Sequence, residues 1–261
     1  MTIRTPSLHP SDLLGHVRHG NGPIPVLVLH DWLGDHTGYD ALLPYLDAQR
    51  FCHVFADLRG YGLSREQAPT CRVQDIAADC LALADHLGWS RFHVMGHSMT
   101  GMVTQRLAAD APARIISAIA LCPVSAAGNR LPPDARAFFA STTTDDAALA
   151  RLLRFVSGGM SADWVAAKVQ QNRASVAPAA REGYLQMLVN TDFVAEVQGI
   201  ATPFLVIVGD RDPGLDADAM ARTFLAWHPQ ATLAVMQGCG HYPMAQQPAH
   251  LAALMATFLS R

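Results

Sequence analysis

Ser98, His241 and an aspartate at position 210 or 212 are the side chains in this sequence that could perform nucleophilic chemistry together. A serine hydroxyl attacks a carbonyl near neutral pH only when a base takes its proton and a third group orients that base. Ser98 stands in Gly96-His97-Ser98-Met99-Thr100-Gly101. A strand-like run, Arg91 to Met95, precedes it, with Phe92 and Val94 on alternate positions. After it, Met102, Val103, Leu107 and Ala108 recur at helical spacing. A serine at such a sharp strand-to-helix turn is a nucleophile elbow: the backbone is strained and the hydroxyl is lifted clear of the sheet. The first N–H groups of the following helix then face the place where negative charge develops. A plain helix N-cap serine would also give Gly-x-Ser; the strand before and the helix after favour the catalytic reading. His241 lies in Gly238-Cys239-Gly240-His241-Tyr242-Pro243. A lone histidine is more often a packing or surface residue, but this glycine-flanked loop lets it reach across. Asp210 and Asp212 both follow the preceding strand, and spacing alone leaves both open.

Short apolar runs must hold these groups. Strands are expected at 13–19, 24–29, 51–56, 91–95, 115–121, 204–208 and 232–236, with Leu14 and Val17 buried in the first. Helices are expected at 39–46, 73–87, from Ser98 to about 110, 216–228 and 248–259. Strands alternating with helices imply a mostly parallel sheet covered on both faces, with reactive groups at the carboxyl ends of its strands. His30, Asp57 and Ser98 all fall at such ends. Between Ala127 and Pro203 the rhythm breaks. Helices are expected at 133–140, 146–156, 161–173 and 178–189, with Ser161 as an N-cap. The chain therefore divides into a core of 1–127 and 199–261 and a helical cap of 128–198 over the strand ends.

Totals narrow the function. The chain has 261 residues and a net charge of −3, with no basic stripe, so no nucleic-acid partner is implied. Met1 to Asp12 contains no apolar leader segment, and no apolar run is long enough to span a membrane. Five scattered cysteines without Cys-x-x-Cys spacing indicate neither a disulfide framework nor a zinc site. A cytoplasmic protein with no metal is expected. Oligomerisation is left open, a homo-oligomer included.

Four motifs agree in order and spacing with the α/β-hydrolase superfamily: the His30 loop, Asp57-Leu58-Arg59-Gly60-Tyr61-Gly62-Leu63-Ser64, the Ser98 elbow, and Gly238 to Pro243. The sequence resembles its small cap-bearing esterases, lactonases and cofactor-free haloperoxidases over nearly the whole chain. That resemblance implies an α/β fold with a mostly parallel eight-stranded sheet and a helical cap. It selects Asp212 through the register Gly209-x-x-Asp212, leaving Asp210 to bond loop backbone. It also implies an oxyanion hole built from the Trp32 and Met99 amides. The expected function is a cofactor-free serine hydrolase of a carboxylic ester or lactone, acting through an acyl-enzyme on a small, largely apolar acyl substrate. The alternatives are perhydrolysis, C–C bond or amide hydrolysis on the same triad, or a ligand-binding protein that keeps the fold. Trp32, Phe138, Phe155, Trp164 and Met187 are the candidate substrate-binding residues. His97 and Cys239 are expected to be structural, and Asp57 with Arg59 to brace their loop. Two residues depart from the family pattern: Asp31 and Thr100 stand where glycine is usual. An ionised Asp31 would oppose charge developing on the substrate oxygen. It is therefore expected to turn toward loop N–H groups, an arginine or solvent, or else to stay protonated.

Overall fold

The computed structural model of the chain describes residues 13–261; the stretch Met1 to Asp12, expected to hold no leader segment, lies outside the described residues. The strands are β1 (His16–His19), β2 (Ile24–Leu29), β3 (Phe51–Ala56), β4 (Phe92–His97), β5 (Ile115–Leu121), β6 (Phe204–Gly209) and β7 (Ala231–Met236). They form one sheet in the order β1-β3-β2-β4-β5-β6-β7. Every neighbouring pair is parallel except β1 with β3. The described residues thus hold seven strands, one fewer than the resemblance implies. β3, β4 and β6 are buried along their whole length, His53, His93 and His97 included, as strands in a sheet covered on both faces must be. β1 is an edge strand, so Leu14 is buried but Val17, expected inside, is 42% exposed.

The helices are α1 (Val73–His86), α2 (Gly101–Asp110), α3 (Pro133–Ser141), α4 (Asp146–Ser157), α5 (Ala162–Ser175), α6 (Pro178–Asn190), α7 (Val194–Val197), α8 (Ala217–Arg222), α9 (Phe224–Trp227), α10 (Pro243–Gln246) and α11 (Pro248–Leu259). α1 buries Ile76, Ala77, Cys80, Leu83 and Ala84 on one face, the stripe that its 3.6-residue period creates. Two expected helices differ. Residues 39–46 form only short 3₁₀ turns at His36–Tyr39 and Leu43–Tyr45, because Pro44 lacks the N–H an α-helix needs there. Residues 216–228 break into α8 and α9 at Thr223, which leaves helical geometry (φ −122°, ψ −94°). Its hydroxyl bonds back to the Ala219 carbonyl at 2.7 Å, a local competitor of the helix ladder.

The chain passes from β2 outward to β3 and returns on the other side of β2 as β4. The carboxyl ends of β2 and β4 therefore flank the point where strand order reverses, where open α/β sheets place their sites. The helical insertion touches the loops at this point. Asn172 Nδ2 donates to the Leu33 carbonyl (3.1 Å), Trp32 Nε1 donates to the Arg181 carbonyl (2.9 Å), and the His241 amide donates to the Val156 carbonyl (2.9 Å). Ser161 caps α5 as expected, accepting from the Trp164 amide. No helix among the described residues is long and apolar enough to cross a membrane.

Candidate active site

Ser98 occupies the left-handed region at φ +56°, a conformation non-glycine residues adopt only where the surroundings enforce it. The enforcement is visible. A Cβ on Gly96 would collide with the Thr100 carbonyl, and one on Gly101 would collide with Pro123. Glycine at these two positions lets β4 turn into α2 this tightly. The Val124 amide donates to the Ser98 carbonyl at 2.9 Å and fixes the turn to the loop after β5.

His241 follows β7 on its glycine-flanked loop. Its Nδ1 is 2.6 Å from Asp212 Oδ2, and both side chains are buried. Asp212 Oδ1 accepts the Gly214 and Leu215 amides at 3.2 Å. Burial alone would raise the Asp212 pKa, but the His241 imidazole and these N–H donors hold it below the usual carboxylate range. Burial alone would lower His241; the charge and hydrogen bond of Asp212, and the charge of Asp31, raise it above 6.5. Asp210 bonds loop backbone instead, accepting the Gly238 amide at 2.6 Å. His97 joins the elbow to the His241 loop: its Nε2 lies 2.7 Å from the His241 carbonyl, and the two rings are 4.9 Å apart. Burial pushes its imidazole down to about 3, so it stays neutral and donates that bond.

Thr100 ties the elbow to the neighbouring loop. Its hydroxyl accepts the His97 amide (2.9 Å) and faces the carbonyls of Leu29 (3.2 Å), His30 (2.9 Å) and His97 (3.0 Å), to one of which it donates at a time. The threonine thus adds a cross-link between β2 and β4 that glycine could not. The His30 ring holds the loop from within, Nδ1 to the Asp31 carbonyl (2.7 Å) and Nε2 to the Leu58 amide (3.0 Å). Beyond it, Trp32 is locked by Tyr61, whose hydroxyl donates to the Trp32 carbonyl (3.1 Å), and by stacking on Phe139. The amides of Trp32 and Met99 make no turn or loop hydrogen bond among the described residues. Asp57 pairs with His36 rather than Arg59: His36 Nδ1 and its amide meet the carboxylate at 2.7 and 2.8 Å. Arg59 reaches across to Asp79 at 2.7 and 2.9 Å.

Asp31 departs from expectation. It is only 4% exposed and lines the cavity, and its donor is neither loop backbone nor arginine. Tyr242 donates its hydroxyl to Asp31 Oδ2 at 3.1 Å. Burial would raise the carboxyl, but the cationic Lys168, foremost, holds it down to about 2, so it is ionised. Lys168, on α5, is the sole lysine in the sequence. It is 7% exposed, and its Nζ lies 5.6 Å from the Tyr242 ring centroid.

A cavity of about 250 Å³ opens at Asp31, Trp32 and His241 and is otherwise walled mainly by apolar residues such as Leu131, Phe139, Leu152 and Leu215. Ser98 is buried and is not among its lining residues. Of the candidate substrate-binding residues, Trp32 and Phe155 line the cavity, Phe155 at its mouth and 66% exposed. Phe138 lies outside it, edge-on to Phe139 and beneath Arg151. Trp164 packs edge-on to Tyr242 and lines a second cavity. Met187 is buried in the common hydrophobic core and does not line the cavity. A helical period of 3.6 decides these differences: Phe138 and Phe139 are 100° apart, so only one can face inward. Tyr242 and Lys168 were not singled out by sequence reasoning. The signal for Lys168 was available: it shares a helix face with Val165, Val169 and Asn172, all buried.

Cys122, Asp212 and His241 place ligand atoms within 4.8 Å of one another. Asp212 and His241 already bond each other, and burial pushes the Cys122 thiol well up, away from the thiolate a metal ion prefers.

Comparison with known proteins agrees with this fold. A sequence profile described as alpha/beta hydrolase fold matches residues 24–248. Over 243 residues the chain is 27% identical to the pimeloyl-[acyl-carrier protein] methyl ester esterase of Nitrosomonas europaea, spanning 88% of this chain and 92% of that protein. Over 84 residues it is 38% identical to a serine hydrolase-like protein of Homo sapiens, spanning 31% of this chain and 40% of that protein. The chain thus covers well under half of that human relative. A solved hydrolase from Oleispira antarctica has the same fold, with a TM-score of 0.85 at 18% identity and 96% of each chain covered.

Proposed function

This chain belongs to the α/β-hydrolase fold family, and on that premise we propose that it is a cofactor-free serine hydrolase of carboxylic esters or lactones. The observation that carries the reading is the His241–Asp212 pair at 2.6 Å, with the His241 ring 4.9 Å from His97, the residue before a serine held at φ +56° at the end of β4. Because Asp212 engages Nδ1, Nε2 of His241 is the nitrogen left to act as base. In the proposed reaction Ser98 Oγ attacks the acyl carbonyl carbon while its proton passes to Nε2. Charge moves onto the carbonyl oxygen, which the Trp32 and Met99 N–H groups receive. Collapse breaks the bond to the alcohol, which leaves with the proton from His241. His241 next takes a proton from water; the hydroxide attacks the acyl-enzyme, the acid departs, and Ser98 recovers its proton.

The helical insertion at 128–198 serves as a cap in this reading, and the cavity beneath it as the acyl site. Its apolar lining supports a largely uncharged acyl chain. Trp32, Phe139 and Phe155 would hold that chain. Five free cysteines are in keeping with a cytoplasmic setting. The test is a panel of aryl esters and lactones with wild-type protein and Ser98→Ala. Loss of hydrolysis by several orders of magnitude in a folded Ser98→Ala protein supports the reading. Turnover that survives the substitution, or a wild-type protein inert to the whole panel, rejects it.

A further inference from the structure

The acyl cavity has a single buried charge in its wall that the proposed triad does not use. Asp31 is only 4% exposed, yet it lines the cavity directly. A carboxylate offers about four acceptor sites. Here Oδ2 accepts one bond, from Tyr242, and Oδ1 makes none among the described residues. Asp31 Oδ1 is not among the fully buried orphan atoms of the described residues, so its open acceptor sites remain accessible to a donor.

Asp31 is also one of the residues that line the acyl cavity. We propose that Asp31 is a substrate-recognition residue and that the natural acyl group carries a neutral hydrogen-bond donor, a hydroxyl or an amide N–H, near its carbonyl. This rests on the ester-hydrolase reading and adds the substrate class to it. Two observations set the chemistry. The first is that the charge of Asp31 is already met. A Cβ on Gly34 would collide with Lys168 Nζ and stand 3.0 Å from Asp31 Oδ1, so cation and carboxylate flank the same glycine. No direct ion pair joins them among the described residues, so Lys168 balances the charge without filling the acceptor sites. What Asp31 lacks is a hydrogen bond rather than a counter-charge, which favours a neutral donor over a cation. The second is position. Asp31 immediately precedes Trp32, whose amide addresses the carbonyl oxygen in the proposed reaction. The donor therefore belongs to the acyl side of the substrate.

Lys168 comes from α5 and Asp31 from the core loop, so the subsite forms only where the insertion docks on the core. Tyr242, next to His241, completes it.

The test compares kcat/KM for 4-nitrophenyl butyrate, 2-hydroxybutyrate, 3-hydroxybutyrate and 4-(trimethylammonio)butyrate, each normalised to its hydrolysis by hydroxide. A hydrogen bond to a charged acceptor implies that wild-type protein prefers one hydroxy ester over butyrate by roughly 10- to 100-fold. Asp31→Gly should bring that ratio to about one. Asp31→Asn, which keeps the side chain's size and one acceptor oxygen, should leave it in between, and it decides the matter if the glycine variant fails to fold. Brisk hydrolysis with a wild-type ratio near one overturns the inference alone. So does a preference that persists in Asp31→Gly, or a cationic ester that outruns both hydroxy esters. A protein that hydrolyses none of the four overturns the inference together with the ester-hydrolase reading beneath it.

Discussion

Replacing Thr100 with valine would remove one oxygen from the centre of the elbow and leave the side chain's shape almost unchanged. That hydroxyl accepts the His97 amide at 2.9 Å and donates to one of three carbonyls between 2.9 and 3.2 Å away. Two hydrogen bonds are lost, each worth about 0.5–1.5 kcal/mol net, and the buried His97 N–H is left without a partner at about 1–3 kcal/mol. Allowing for partial relaxation, the expected destabilisation is about 2–4 kcal/mol. For a chain of this size that lowers Tm by roughly 5–15 °C. The assay is a denaturant titration of both proteins, in which the midpoint should fall with the slope unchanged. Because Thr100 joins the residue before Ser98 to the residue two before Trp32, kcat toward an aryl ester should fall as well, with KM less affected. A Thr100→Val protein as stable and as active as wild type would refute this reasoning, since its shape is kept and only the hydroxyl has gone.

Asp212→Asn should lower kcat by about 10⁴, as for the corresponding change in a serine-protease triad, while Asp210→Asn should cost far less; a comparable loss from both would break the assignment. The pH profile of kcat/KM should show an acid limb above 6.5, because two carboxylates, Asp212 and Asp31, favour the imidazolium form of His241 and the base is needed neutral. Removing the Asp31 charge with Asp31→Asn should move that limb to lower pH; an unmoved or raised limb contradicts the shared field. Phe139→Ala should reorder the preferred acyl chain lengths, whereas Met187→Ala, buried away from the cavity, should mainly cost about 2–5 kcal/mol of stability in denaturant titration.

The groups that carry the proposed chemistry were legible because each sits in a motif whose backbone demands are local. Gly96 and Gly101 are needed by the elbow itself, and the glycines around His241 mark a tight loop after a strand. Strand positions were legible too, since a strand buried on both faces is mostly apolar, although β3 and β4 also bury His53, His93 and His97. Helix ends were less so: Pro44 and Thr223 each interrupt a periodic pattern by local chemistry that hydrophobic spacing does not register. Partnerships between distant residues were not legible at all. Arg59 and Asp57 are close in sequence, yet the fold gives one Asp79 and the other His36. The fate of Asp31 likewise depends on Tyr242 and Lys168, 211 and 137 positions away, brought together only when the insertion packs on the core.

The most direct test of the central claim is covalent capture of the nucleophile. Wild-type protein would be treated with a fluorophosphonate, weighed intact and then mapped by peptide. The expected result is a single adduct on Ser98, absent from Ser98→Ala and slowed by a competing ester. An adduct on Cys239 or on any other serine, or none while ester hydrolysis continues, would contradict it.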